Sequence, residues 1–439
     1  MSKKSFFMGT FILAGAGIFS RFIGFFYRIF LSRTLGAAGI GIFQLAMPVQ
    51  TLLAAISTGG IQTAISQLSA SALALKDKQK AKDFFVIGTV LSFFISILLS
   101  LLLYQNADFV SIRLLHEPQT CQLLQIIACS FPLGSIHICI NSYYYAQKET
   151  VIPSMIQLLE QFSRVLSTYL FYLYLVAEKQ PVTPLTAGVG AFISELIAAA
   201  AGILALRIHF LKSHIRFLQF KNMKSRLKSL TSLAFPMTLN RILVTLLGSI
   251  EVILIPQRLE LSGMNSAHAL SVYGILSGMA LPLILFPSTL TNSASVMLMP
   301  SITELQTLGN KKKLRYVILR AYQSVSLLGL LFALFFYFFG NFTGNLLYHN
   351  STVGIHLRTL AFVCPFLYLN TTLASILNGL GKAGTSLLHN TLSICIRIFF
   401  VVYIIPKAGI QGYLYGVILS EILKTVLCSL SLCQFSRRN

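Results

Sequence analysis

Apolar runs of about 20 residues recur through this chain from end to end, each long enough to cross a ~30 Å hydrocarbon core as an α-helix. No other feature constrains the fold as strongly. In hydrocarbon the backbone has no water to bond, so only helices and closed barrels can span it. The runs are continuous rather than alternating, which excludes a barrel. Twelve spans are expected, at 6-31, 40-72, 84-104, 119-146, 151-176, 184-207, 231-256, 269-299, 317-339, 354-379, 385-405 and 409-433. With 55% hydrophobic and 10% charged residues, the sequence leaves no polar stretch long enough for a separate soluble domain. The expected fold class is all-α, a polytopic membrane protein of about 12 transmembrane helices.

A net charge of +22 would suit nucleic acid, but the charges follow the membrane instead. With the N-terminus inside, 22 Lys and Arg residues fall on one side of the membrane, five on the other, and seven inside spans. The positive-inside rule then puts both termini in the cytoplasm of a multi-pass protein of the cell membrane, and no nucleic-acid partner is expected. The densest basic segment forms a cytoplasmic linker, 207-230, between an N-terminal lobe, 1-206, and a C-terminal lobe, 231-439. It sets orientation and is suited to anionic membrane lipids.

The seven cysteines lie within the spans and read as small core residues rather than a disulfide framework. The eight histidines show no metal-ligand spacing, so neither metal nor cofactor is expected. The Ala14-Gly15-Ala16 triplet faintly resembles a signal-peptide cleavage site, but the apolar segment continues past it and cleavage is not expected. The second and eighth spans are long and interrupted, by Gly59-Gly60 and by Pro282 and Pro287. Such breaks either line ligand paths in transporters or kink a helix for packing.

Two halves of the sequence match. "FPLGSIHICINSYYYAQ" leads into Gln157 and Arg164, and "CPFLYLNTTLASILNGLG" leads into Asn390 and Arg397. Pro132 to Pro365, Gln157 to Asn390 and Arg164 to Arg397 all share an offset of 233. "GAFISELI" matches "GVILSEIL" and sets Glu195 opposite Glu421 at an offset of 226. Helices four, five and six thus correspond to ten, eleven and twelve. Six helices is an even number, so the halves are expected as two parallel repeats with a substrate cavity between them.

Charge inside the membrane is costly, at roughly 2.5-3.5 kcal/mol for a central arginine on insertion scales, and therefore points to function. On the first span Thr10, Ala14, Gly17, Arg21, Gly24 and Arg28 fall within a narrow arc of a helix. Glycines beside arginines leave room before two guanidinium forks, which suit phosphate or carboxylate oxygens. The alternative is that both arginines pair with acids on other helices or snorkel to an interface. On the seventh span Thr238, Arg241, Thr245 and Gly248 share a face, with Asn240 and Glu251 on an adjacent one. Glu251 is a candidate proton or sodium site, or else an ion-pair partner of a nearby arginine.

Glu160 with Arg164 and Glu421 with Lys424 have the spacing to pair within their own helices. Arg397 and Glu195 lack such local partners and either pair across the halves or face the cavity. Arg358, at a span end, is expected to snorkel. Seven intramembrane cations against four acids (Glu160, Glu195, Glu251 and Glu421) leave a surplus of three, which calls for an anionic guest or bound counterions. The candidate substrate ligands are Arg21, Arg28, Arg241, Asn240 and Arg397, and the candidate ion-coupling residues are Glu251 and Glu195.

The stretch "GFFYRIFLSRTLGAAGIGIFQLAMP" at 24-48 resembles the opening of the stage V sporulation protein B family. So do "AFPMTLN", "IEVILIPQRLELSG" and "VYGILSGMALPLILFPSTLTNSASVMLMPSITE" within 234-304. That family lies in the multidrug/oligosaccharidyl-lipid/polysaccharide exporter superfamily. The resemblance implies a V-shaped pair of six-helix lobes that alternates between inward- and outward-facing states. It also implies movement of a polyprenyl-pyrophosphate-linked saccharide to the outer leaflet rather than catalysis. Arg21 and Arg28 look like the cationic pair that flippase relatives carry on their first helix for the pyrophosphate, with a spacing that differs by one residue. Glu251 stands where many relatives have aspartate. Family members commonly carry two further helices after the twelfth, beyond Asn439.

The alternative within the same fold is a cation-coupled multidrug antiporter. Cationic drugs call for acids and aromatics, whereas this interior is rich in arginine. A membrane-embedded transferase would need convergent acids or a His/Asp pair near one membrane face, and the sequence offers only dispersed ones. A scaffold without transport leaves the intramembrane charge unexplained.

Overall fold

A computed structural model describes residues 3–213 and 223–438. It is all-helical among these residues and supplies the twelve helices the hydropathy predicts. α1 covers 3–35 and α2 covers 37–74; the backbone joins them through Gly36, whose φ of 69° and ψ of −179° break the helix. Only glycine adopts that conformation without strain. There follow α3 (Lys78–Gln105), α4 (Thr120–Ala146), α5 (Val151–Ala177), α6 (Leu185–Ser213) and α7 (Met223–Glu260). The remainder are α8 (266–307), α9 (Lys311–Tyr348), α10 (351–379, bent by 57° between Ala361 and Cys364), α11 (Ala383–Tyr403) and α12 (Ile405–Arg438). Among the described residues nine helices are long and apolar enough to cross a membrane by themselves, and the bent α10 makes a tenth. The first of the nine, Gly15–Ala74, contains both α1 and α2. α5, with its polar run Gln157, Glu160, Gln161 and Arg164, and the C-terminal half of α8 complete the set.

Helix starts carry local signals. Asp77 accepts from the Lys80 amide at 2.8 Å, Asn265 from His268 at 2.8 Å and Asn310 from Lys313 at 3.1 Å, each satisfying a donor that the first turn leaves open. α2 is interrupted by a one-turn π-helical segment, Ala55–Gly59, and α8 by another, Ile275–Ala280, and again at Phe286 and Pro287, where the helix stops; Pro282 itself sits in the first turn of a helical stretch, where its missing N–H costs nothing. A π-turn frees backbone groups from the regular ladder, and such turns gather at functional sites.

The chain packs as two compact units, Met1–Tyr27 with Ile42–Ser249, and Arg28–Gly41 with Ile250–Asn439. The backbone passes between them inside α1, at the start of α2 and inside α7. Within the first unit α4 is the hub, packed on α2, α3, α5 and α6. Its core joins Ile61, Ile65, Phe85, Ile140, Tyr143 and Tyr144 to Leu230 and Ala234 of α7. Asp83 of α3, 1% exposed, is paired with Arg226 of α7 beside that core.

Within the second unit α10 is the equivalent hub, packed on α8, α9, α11 and α12. Residues 37–41 cross α8 so closely that a Cβ on Gly41 would meet the Leu270 carbonyl, and one on Gly274 the Ala37 carbonyl. Arg33 anchors the same segment, donating from Nε to the Leu347 carbonyl at 2.8 Å and from Nη2 to Leu346 at 2.9 Å. Of the basic linker, 207–213 end α6 and 223–230 open α7, while 214–222 lie outside the described residues.

Candidate functional site

The four intramembrane acids are engaged in two clusters, one in each unit. In the first, Arg164 on α5 donates from Nη2 to Glu160 Oε1 at 2.5 Å, one helical turn away as its spacing predicts. The same nitrogen is 3.9 Å from Glu195 Oε1 on α6, and Nε donates to Ser194 Oγ at 3.2 Å. His137 on α4 stands between the carboxylates, with Nδ1 3.2 Å from Glu195 Oε2 and Nε2 3.7 Å from Glu160 Oε2.

In the second unit Arg397 on α11 donates from Nε to Glu251 Oε1 at 2.8 Å and from Nη1 to Glu421 Oε1 at 3.1 Å. The Tyr413 hydroxyl donates to Glu251 Oε1 at 2.9 Å, and Asn370 Nδ2 to Glu421 Oε2 at 2.7 Å. The Glu251 and Glu421 side chains are 6% and 9% exposed, so their charges depend on these partners rather than on solvent.

The structure closes two questions the sequence left open. Arg397 and Glu195 each find partners inside their own unit and do not pair across the halves. Lys424 does not pair with Glu421, its neighbour one turn away; it donates to Asn390 Oδ1 at 2.8 Å, because Arg397 and Asn370 already occupy that carboxylate. Arg358 is exposed, and its Nε donates to the Tyr337 carbonyl at 3.1 Å.

With every intramembrane acid taken by Arg164, Arg397 or His137, the other candidate cations have no carboxylate. Among the described residues no acid lies within ion-pair distance of Arg21, Arg28 or Arg241. Arg21 and Arg28 are both exposed and lie two turns apart on the continuous helix α1, with Gly24 between them. A Cβ at Gly17 would meet nothing within 4 Å, whereas one at Gly24, between the arginines, would come within 3.3 Å of Gln161 Nε2 on α5, so the expected open space is present at Gly17 and filled at Gly24. The side chains of Thr10 and Ala14, counted to the same face, lie outside the described residues.

Arg241 on α7 rests its aliphatic stem on Gly59, where an added Cβ would come within 3.0 Å of its Cδ, and its Nη1 is 3.5 Å from the Gly59 carbonyl. Thr238, one turn earlier, accepts from the Gly60 amide at 3.1 Å. The break in α2 is thereby met by the polar face of α7, which supplies the partners that the π-turn needs. Arg241 and Asn240 remain exposed.

Sequence reasoning missed His137, Asn370 and Tyr413. The first two were within reach, because the offset of 233 that relates Arg164 to Arg397 also relates His137 to Asn370. Tyr413 had no such signal. A crevice of about 460 Å³ also opens between α5 and α6, lined by Leu166, Leu170, Phe171, Tyr174, Val189, Ile193 and Ile197 with Ser163 and Ser167. Its wall is apolar and holds none of the candidate ligands.

A family model described as polysaccharide biosynthesis protein matches residues 6–306. The chain is 27% identical to the stage V sporulation protein B of Bacillus subtilis (strain 168), over 97% of this chain and 83% of that protein. Its fold is similar to the inward-facing conformation of a multidrug resistance MATE family transporter of the MOP superfamily, with a TM-score of 0.74, 14% identity and 95% of each chain covered. It is equally similar to the lipid II flippase MurJ in its inward closed conformation, with a TM-score of 0.74, 15% identity, and coverage of 96% of this chain and 87% of that one.

Proposed function

Because this chain belongs to the polysaccharide biosynthesis protein family, as the match over 6–306 establishes, we propose that it is a flippase for a polyprenyl-pyrophosphate-linked saccharide, working by alternating access. The observation that carries the reading is the pair Arg21 and Arg28, exposed on one helix with no carboxylate in reach. A guanidinium in a span needs a partner, and where no acid is in reach that partner is an anionic guest, bound water or the interface; two such cations on one helix favour the guest. Two guanidinium forks two turns apart, roughly 10 Å along the axis, match the span of a pyrophosphate with its first sugar. Arg241 and Asn240, also exposed, extend the donor set. Arg397 is a weaker ligand than the sequence suggested, since two of its nitrogens already serve Glu251 and Glu421.

In this reading both termini and the linker 207-230 are cytoplasmic, the saccharide leaves toward the outer leaflet, and a proton or sodium gradient drives the cycle. Glu251 and Glu195 are the coupling candidates, although Glu251 is held by Arg397 and Tyr413 while Glu195 faces a titratable imidazole. The antiporter reading shares the fold, as the MATE likeness illustrates. A cationic drug would need an acid of its own, and all four intramembrane acids are engaged.

Reconstitution tests the proposal. Proteoliposomes carrying a fluorescent polyprenyl-pyrophosphate-saccharide should expose it to an external quencher when the protein is present, and Arg21→Ala or Arg28→Ala should slow that exposure at least tenfold. Equal rates with and without protein under every gradient would overturn the reading.

A further inference from the structure

Duplication lets one half of the molecule serve as the reference for the other. The offset of 233 carries Arg164 onto Arg397 and His137 onto Asn370, and the offset of 226 carries Ser194 and Glu195 onto Ser420 and Glu421. The two clusters are therefore built alike. In each, an arginine meets the carboxylate from the last helix of its half, and a side chain from the hub helix reaches the other oxygen of that carboxylate. Each also holds one further acid, Glu160 or Glu251, so that two carboxylates stand against one guanidinium.

The copies differ in what balances the remaining negative charge. The second unit uses the Asn370 amide and the Tyr413 hydroxyl, which donate hydrogen bonds without taking up a proton. The first unit has an imidazole at the place of the amide. His137 is 6% exposed, and its Nδ1 faces Glu195 Oε2 at 3.2 Å with neither atom making a hydrogen bond. Its other nitrogen points toward Glu160 at 3.7 Å. A neutral imidazole donates to one side only, whereas an imidazolium donates to both and brings the cluster to neutrality. Imidazole is also the side chain that gains and loses a proton near neutral pH.

We propose that His137, Glu160 and Glu195 form a binding site for a single proton in the first unit, one that the second copy lacks, and that loading this site drives transport. The coupling rests on the transport reading above; the proton site does not. A metal ion is the poorer occupant, since Arg164 lies 2.5 Å from Glu160 and 3.9 Å from Glu195 and would repel it, and among the described residues no three His, Cys, Asp or Glu side chains converge closely enough to hold one. Among the described residues no acid other than Glu160 and Glu195 lies within ion-pair distance of His137. α2 has no ionisable residue, and those of α3 other than the distant Tyr104 lie in its first six residues, where Asp83 is held by Arg226. From α1, Tyr27 bonds Thr168, one turn beyond Arg164, at 3.1 Å.

The test is a difference titration of the full-length protein in lipid nanodiscs between about pH 5 and 9, wild type against His137→Asn, the substitution the second copy already carries. The wild type should bind one more proton per chain than the variant, and Glu195→Gln, which leaves His137 in place, should move the midpoint of that step down by about one pH unit, a dependence on the facing acid that an ordinary or unfolded histidine lacks; an unmoved midpoint overturns the shared site. Reconstituted transport should vary at least tenfold over this range in the wild type and be flat in His137→Asn. A zero difference in bound protons overturns the site. One proton with an unchanged pH profile overturns the coupling. One proton, with no transport of lipid-linked saccharide by either protein, supports the site and overturns the transport reading instead.

Discussion

Replacing Arg397 with alanine removes the cation that holds Glu251 and Glu421, which approach it at 2.8 and 3.1 Å and are 6% and 9% exposed. Two carboxylates are then left facing each other out of water with no cation within ion-pair distance among the described residues. Breaking a buried pair in this way costs about 3–5 kcal/mol, most of it the penalty of the stranded charge. For a cooperative unit of about 200 residues each kcal/mol moves the melting temperature by roughly 2–4 °C, so Arg397→Ala should melt about 6–20 °C lower. Because the chain lacks tryptophan, a thiol-reactive fluorogenic dye is a suitable reporter: Cys139, Cys364 and Cys428 are buried and react on unfolding. The triple replacement Arg397→Met, Glu251→Gln, Glu421→Gln should recover most of the loss, since no charge remains unpaired. Arg21→Ala, with no carboxylate partner, should stay within about 0.5 kcal/mol of wild type, the usual range for a site without such a feature. A wild-type melting temperature for Arg397→Ala, or an equal loss for Arg21→Ala, would refute this division between structural and available arginines.

The remaining predictions concern orientation, assembly and coupling. Reporter fusions at both termini and within the 207-230 linker should all read cytoplasmic, and an external linker would invert the proposed direction of transport. Arg226→Ala should lower stability by about 3–5 kcal/mol by stranding Asp83, and Asp83→Asn added to it should restore part of that; no loss would mean that the pair is idle. Gly41→Leu should destabilise the protein more than Gly17→Leu, since the first meets the Leu270 carbonyl and the second meets nothing within 4 Å. Equal effects would contradict the close crossing of residues 37–41 on α8.

Most of the helical plan was legible because hydrocarbon leaves the backbone few choices, and a run of apolar residues reports a span almost directly. Gly36 was not marked as a break, since a single glycine between two spans looks like one more small residue; its left-handed φ is visible only in coordinates. The interruption at Gly59-Gly60 was legible, but its use was not, because Thr238 and Arg241 lie some 180 residues away and reach it only through packing. Charge pairing was legible for Glu160 and Arg164, which sit on one helix. It failed for Glu421 and Lys424, where an arginine and an asparagine from other helices outcompete the local partner. His137 escaped notice as an isolated histidine, because a lone ring on an apolar helix says little until its repeat partner, Asn370, is set beside it.

The most direct measurement of the central claim is the affinity of a purified polyprenyl-pyrophosphate-saccharide for the full-length protein and its arginine variants. Hydrogen bonds to a charged group are worth about 1.5–3 kcal/mol, so Arg21→Ala and Arg28→Ala should each weaken binding roughly 10- to 150-fold without loss of thermal stability. Arg→Lys at either position should recover only part of that, since an ammonium keeps the charge and loses the fork. Arg113→Ala, in an expected external loop, should bind as wild type. Unchanged affinity in both alanine variants would contradict the account, because the two acid-free arginines of α1 would then have no anionic guest to explain them.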